Sequence, residues 1–461
     1  MKKKIVAVLL SLAVVMSLAA GCGSEAGSRD AGGNAAEQES ANTEEMESAD
    51  TDNQASGAQS DTSNEGLTGE MTVYAWTQMA TALTQTAERF MEVNPGVKIT
   101  VEQVDGSYTK LLPELASGQG VPDVFMVQNT DIKSFSNKYE GQLLPLNDLI
   151  EPEKDNFVAS ALSTCYNAKD GNYYGIPIDI GPCALMYRTD IFESAGVKVE
   201  DIVTWDDYIE AGKKILEATG GETKMTGFNY NGATSQDYMK MLLAQQGGSY
   251  YNSDGSVNLA SDEMITAAET LQKMIDAGIM MDFPDEWNDR ITALNAGQIC
   301  TLPYPAWYGV VMKDSVADQK GLWAYAPMPA FEGTNGYVCL GGSVLAVSAA
   351  SKCPEAAKEF VRFSLMDANQ ADILYGQSQF EAYKPYYETD CYKEVDEYFG
   401  VKVGETFAQW TDSPTVDFGE YFTDVSSALS TAIGEIFVNG KDPKNALEEA
   451  SAAAQRAIDN N

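Results

Sequence analysis

Not one of the 461 residues is a histidine. That absence removes Ser-His-Asp and Cys-His catalysis, imidazole metal sites and histidine-based pH sensing together. The seven cysteines include no Cys-x-x-Cys pair and no metal-ligand spacing, so no metal site is expected, and nothing calls for a cofactor. Positive charge is also scarce: 30 Lys and Arg face 68 Asp and Glu, a formal charge of −38. A field of that sign repels phosphate backbones and anionic lipid headgroups, which argues against nucleic-acid binding and against electrostatic adhesion to a membrane. Beyond the first twenty or so residues, no apolar run is long enough to cross a bilayer.

The amino terminus is where apolar residues concentrate. Lys2, Lys3 and Lys4 precede a stretch from Ile5 to Ala20 broken only by Ser11 and Ser17, too short to span a membrane comfortably and typical of a secretory leader. Its end, Leu18-Ala19-Ala20-Gly21-Cys22, resembles the lipobox of bacterial lipoproteins, departing from it in Ala19, where Leu is commonest. The resemblance implies cleavage before Cys22, lipidation of that cysteine, and anchorage by two or more acyl chains on the extracellular face of a bacterial cell membrane. Residues 23–69 hold eleven acidic residues, one arginine and few large apolar side chains, the composition of a disordered tether. Its relaxed reach is roughly 35–40 Å. The six remaining cysteines, Cys165, Cys183, Cys300, Cys339, Cys353 and Cys391, could pair or stay as buried thiols.

The folded part opens with strand formers at 71–76, then Leu83, Ala87, Phe90 and Met91 at helical spacing up to Asn94-Pro95-Gly96. A half-buried strand pattern at 97–101, a helix through Leu111 and Leu115 ending at Gly118, and a buried strand at 123–127 complete a doubly wound α/β alternation with a mostly parallel sheet. Ligands in such sheets sit beyond the carboxyl ends of the strands, which brings Trp76, Gln78, Gln128, Asn129 and Asp131 to one crevice. Further strands at 184–187 and 343–347, helices at 205–218 and 354–363, and an amphipathic helix at 443–458 are more than one sheet easily holds.

Several stretches in order resemble the family 1 extracellular solute-binding proteins of ABC importers, relatives in fold of maltose-binding protein. They include Phe90-Met-Glu-Val-Asn-Pro-Gly-Val97, Leu115-Ala-Ser-Gly-Gln-Gly-Val-Pro-Asp-Val124, Leu143-Leu-Pro-Leu-Asn-Asp-Leu149, and Gly171-Asn-Tyr-Tyr-Gly-Ile-Pro-Ile-Asp179 followed by Leu185-Met-Tyr-Arg-Thr-Asp-Ile-Phe192. Thr204-Trp-Asp-Asp-Tyr208, Ala296-Gly-Gln298, Trp323-Ala-Tyr-Ala-Pro-Met328, Gly341-Gly-Ser343 and Glu355-Ala-Ala-Lys-Glu-Phe360 continue the pattern. Tyr187-Arg188 and Gln298-Ile-Cys300 depart from it.

The resemblance implies an α/β, two-lobed periplasmic-binding-protein-like (type II) fold with a hinged ligand cleft. One lobe is expected from 70–179 and 341–382, the other from 180–340 and 383–461, with crossings near 176–182, 338–343 and 380–385. The implied function is capture of a carbohydrate, an oligosaccharide, and its delivery to ABC transporter permease subunits, by a monomer that is not an enzyme. For such a ligand, aromatic faces pack against sugar rings while carboxylates, amides and backbone groups meet the hydroxyls. To the five crevice residues this adds Asp179 at the first crossing, Tyr230, Asn231, Trp287, Tyr304 and Trp307 from the second lobe, and the backbone N–H groups of Gly341, Gly342 and Ser343. Tyr421 and Phe422 enter because they lie near where maltose-binding protein has a stacking aromatic, whereas Trp205 and Trp323 are expected in the core. The alternatives are the same fold holding a polyamine, peptide or anion, or a secreted glycosidase using two carboxylates.

Overall fold

The computed structural model describes residues 66–460 apart from 233–235, 378–379, 412 and 417; the leader, Cys22 and the tether to residue 65 lie outside the described residues. In chain order the main strands are β1 Gly69–Ala75, β2 Val97–Gln103, β3 Val124–Gln128, β4 Ile176–Pro177, β5 Cys183–Arg188, β6 Thr301–Pro305, β7 Trp323–Ala326 and β8 Ser343–Val347. The helices that position the site are α1 Thr77–Val93, α2 Leu111–Ser117, α3 Ile132–Lys138, α4 Ala159–Cys165, α5 Trp205–Ala218, α6 Asp237–Gln245, α7 Glu286–Asn295, α8 Tyr308–Ser315, α9 Pro354–Met366 and α10 Phe422–Phe437.

The first lobe is built on a five-stranded sheet in the order β2-β1-β3-β8-β4. β3 carries four consecutive buried apolar residues and sits centrally, whereas β2 alternates buried and exposed positions as an edge strand does. β1 runs parallel to β2 and β3, but β8 is antiparallel to both β3 and β4. The mostly parallel sheet expected is therefore mixed, because β8 enters from the other lobe instead of through a βαβ crossover. The second lobe carries an antiparallel sheet, β6-β5-β7, and a short parallel pair, Thr226–Phe228 with Met280–Asp282. Helix α5 starts with a capping box in which Thr204 and Asp207 satisfy each other's backbone N–H. Trp205 and Trp323 are buried in the second core, and their indole N–H groups donate to Gln245 and Gln319 at 2.9 and 2.8 Å.

Three chain segments cross between the lobes side by side. The central one, 178–183, bonds to 338–343 on one flank through Leu340 N–H to Gly181 O (2.7 Å) and Cys183 N–H to Val338 O (2.9 Å). On the other flank Ile180 N–H reaches Phe380 O (2.8 Å) and Ala382 N–H reaches Ile178 O (3.0 Å). Only glycine fits at 181, where a Cβ would stand 1.8 Å from Leu340 O.

The expected return to the second lobe at 383 comes later. Tyr383, Tyr386, Tyr392, Phe407 and Trp410 pack into the first core, while Tyr398 and Phe399, and then Val416, join the second. The tyrosines hold the chain back: Tyr386 donates to Ser364 O at 3.1 Å and Tyr383 to Glu153 at 3.0 Å. Cys165, Cys183, Cys300, Cys353 and Cys391 are free thiols, and burial pushes the Cys165 thiol up to about 12. No helix among the described residues is long and apolar enough to cross a membrane.

Candidate functional site

Where the strand ends of the first sheet face the helices of the second lobe, the chain encloses a cavity of about 360 Å³. Its first-lobe wall is made of Trp76 and Gln78, directly after β1, and of Gln128, Asn129 and Thr130 at the end of β3. Trp76 leans edge-on against Tyr108 at 5.9 Å between ring centroids. Tyr108 has a backbone φ of +60°, the one non-glycine residue with positive φ among those described. Its hydroxyl holds it there, donating to Asp131 Oδ2 and accepting from Gln128 N–H, both at 2.8 Å. A strained residue fixed by two hydrogen bonds thus backs the first tryptophan.

The floor comes from the crossings. Asp179 is buried and accepts the Ser343 N–H at 2.8 Å; desolvation pushes its carboxyl up to about 7, against the pull of that hydrogen bond. At neutral pH it can therefore either donate to or accept from a ligand hydroxyl. Asn129 bonds to the glycine turn twice, through its backbone N–H to Gly342 O at 3.0 Å and through Nδ2 to Gly341 O at 2.9 Å. Gly342 has a φ of +118°, and a Cβ there would lie 2.8 Å from Asp179 O, so the turn requires glycine.

The second-lobe wall carries Trp287 from α7, Trp307 just before α8, and Asp237 and Lys240 from α6. Trp307 is braced edge-on by Tyr304 at 5.4 Å and by Tyr308 at 5.9 Å, and its Nε1–H donates to Leu340 O at 3.3 Å. Behind these rings lies the fully buried Arg290, whose guanidinium sits 4.4 Å from the Tyr304 ring centre and donates to Glu286. Tyr304 in turn donates to Asp237, which faces Lys240 at 3.6 Å. A charge network therefore runs from the buried Arg290 and Glu286 behind the aromatic wall to Asp237 and Lys240 at the cavity.

Of the residues expected at the site, the cavity gathers Trp76, Gln78, Gln128, Asn129, Asp179, Trp287, Trp307, Gly341, Gly342 and Ser343. The N–H of Ser343 is not offered to a ligand, since Asp179 accepts it. Six others lie elsewhere. Asp131 is turned to Tyr108; burial raises its carboxyl above the usual range, opposed by that hydrogen bond and by Lys240 of the opposite lobe. Tyr304 is a buried brace, and Tyr230 packs on Phe228 at 4.9 Å. Asn231 lies against the α10 backbone at Gly434. Tyr421 is 42% exposed outside the cavity, and Phe422 is buried against Tyr250. The aromatic that does reach the cavity from this segment is Phe418. Also unforeseen are Met79, Met126, Thr130, Asp237, Lys240, Val310, Val311 and Leu340. Asp237 and Lys240 carried a readable signal, opposite charges three apart on one helix, but nothing local said which face that helix turns to the cleft.

A family model described as bacterial extracellular solute-binding protein matches residues 74–371, well over half the chain. The protein belongs to this family. Among similar chains, the arabinooligosaccharide-binding protein of Halalkalibacterium halodurans is 28% identical over 77% of this chain and 80% of its own. The lactose-binding protein of Rhizobium radiobacter is 29% identical over 80% of this chain and 88% of its own. A solved structure, the ABC transporter associated binding protein from B. animalis subsp. lactis Bl-04 in complex with β-1,6-galactobiose, superposes with a TM-score of 0.70 at 26% identity, covering 85% of this chain and 97% of that one. The two-lobed, hinged architecture is thus the family's, and members of this family bind solutes rather than transform them. In this solute-binding protein the cavity sits where lobe closure would bury its contents.

Proposed function

We propose that this solute-binding protein captures an oligosaccharide between its lobes and presents the closed complex to the permease of an ABC importer. The observation that carries the reading is the pairing of three tryptophans, Trp76, Trp287 and Trp307, with Asp179, Asn129 and Gln128 around one cavity. Flat apolar faces for rings and fixed polar groups for hydroxyls are what a neutral saccharide requires. The saccharide-binding names of its relatives support the same class. Closure follows from differential affinity: a ligand touching both walls binds the closed form more tightly than the open one and shifts the population toward it.

Calorimetric titration of the full chain with lactose, β-1,6-galactobiose and arabinooligosaccharides, followed by chromatography of the recovered sugar, tests this. Saturable binding with the sugar recovered intact is expected. Binding of a polyamine or peptide in place of any sugar would refute the ligand class, and cleaved sugar would make the protein a hydrolase.

The leader motif supports a lipid anchor at Cys22 on the outer face of the cell membrane, with the acidic segment as a tether. Replacing Cys22 with serine is expected to abolish acylation, as seen by mass spectrometry of the cell-derived protein.

A further inference from the structure

We propose that the ligand site continues past the tryptophans into a second, hydroxyl-lined chamber, and that the solute is a saccharide chain longer than a disaccharide; this rests on the carbohydrate reading above. A cavity of about 380 Å³ adjoins the first, and the two share Asn129, Thr130 and Phe418 in their walls. A small third cavity touches Asn129, Ser160 and Thr415 of one and Asp179 and Ser343 of the other, so the two linings are continuous.

The second chamber is also an inter-lobe space. Ser160, Ser163 and Thr164 of α4 form one side of it, and Pro414, Thr415, Val416, Phe418 and Gly419 form the other. Beside it, Lys169 and Glu420 pair at 2.7 Å, joining the hairpin that follows α4 to the far end of that loop. Whatever closes the lobes on the first cavity thus closes them on the second.

The chemistry changes from one chamber to the next. The first has three tryptophans; the second has instead the hydroxyls of Ser160, Ser163, Thr164 and Thr415 together with Lys133, and keeps Phe418 as its single aromatic. A sugar ring there is held by its hydroxyls more than by its faces. At the junction, Asn129 donates through Nδ2 to Gly341, while its buried Oδ1 has no hydrogen-bond partner. A buried acceptor without a donor is costly, and a hydroxyl of a chain passing between the chambers supplies one. Each cavity alone lies near the lower end of the roughly 300–1,000 Å³ typical of ligand pockets, and the pair together suits a chain of rings rather than one.

The test is calorimetry on the full chain with β-galacto-oligosaccharides and arabinooligosaccharides of increasing length, for the natural sequence and for Ser160→Tyr and Thr415→Tyr, which fill the second chamber from opposite sides. In whichever series binds, Kd is expected to fall at least about tenfold beyond the disaccharide. Both variants should erase that gain and leave disaccharide affinity within about twofold. If one variant lowers the melting temperature, the other carries the test from the opposite side. Equal affinity for short and long chains, or a length gain that both variants keep, overturns the second chamber and leaves the carbohydrate reading standing. Binding of no sugar at any length overturns both.

Discussion

The two walls of the cleft are built on opposite plans. On the first lobe, Trp76, Gln128 and Asn129 sit at strand ends and are held by neighbours bonded to the backbone, such as the Tyr108 hydroxyl on Gln128 N–H and the Asn129 amide on the glycine turn. On the second lobe, Trp287 rides on a helix, Trp307 stands at the start of another, and both lean on tyrosines that cover a buried arginine. One wall follows from the sheet it terminates. The other is held from behind by the buried Arg290–Glu286 pair, so its shape depends on those charges remaining paired in a dry interior.

That contrast can be broken most severely at Arg290. Arg290→Met removes the partner of buried Glu286, and a loss of about 3–5 kcal/mol in unfolding free energy is expected from urea denaturation. A variant of full stability would show that the network does not brace the wall. Next in size is Trp307→Ala, which should weaken saccharide binding by about 2 kcal/mol or more, roughly thirtyfold, measured by calorimetry. Loss of sugar affinity by Trp76→Ala alone, with Trp307→Ala unaffected, would reverse the ranking of the two walls.

On the first-lobe side, Tyr108→Phe deprives Asp131 of its donor and Gln128 N–H of its acceptor, and about 1–3 kcal/mol of stability should go with it. The smallest effect near pH 5 is expected from Glu381→Gln, in the segment between the walls. Glu381 pairs with Asp179 in a β-bridge, is buried, and neither carboxyl oxygen has a hydrogen-bond partner. Desolvation, aided by nearby Asp179, raises its carboxyl well above the usual glutamate range. A raised carboxyl contributes stability fully below its unfolded-state value and loses it as pH rises through the folded one. Asp179, raised to about 7, acts in the same sense. Melting temperature should thus decline from pH 5 to pH 8 in the natural protein and decline less in Glu381→Gln; parallel curves would refute this.

The first lobe was the legible one. Its strands and helices alternate locally, and the rule that ligands sit beyond parallel strand ends put Trp76, Gln78, Gln128 and Asn129 at the cavity without any knowledge of the other lobe. The direction of β8 was hidden, because nothing in Ser343–Val347 records that the chain arrives from across the hinge. Asp131 was misread since the same carboxylate that could face a sugar faces Tyr108, a residue whose unusual backbone has no sequence mark. Tyr304 reads as a ligand-contacting aromatic until Arg290 is seen beneath it. Phe418 was missed by a few residues in favour of Tyr421 and Phe422, because the loop before α10 has no periodicity to fix which aromatic turns inward.

The distribution of indole rings gives the protein an optical property of its own. Three of its six tryptophans line the cavity, while Trp205, Trp323 and Trp410 are buried in the two cores. Saccharides neither absorb nor emit in the near ultraviolet, and the cavity trio is where a bound sugar would directly change an indole's surroundings. The unlabelled chain is therefore its own stopped-flow gauge, able to time the closing of its lobes on a solute that is itself invisible.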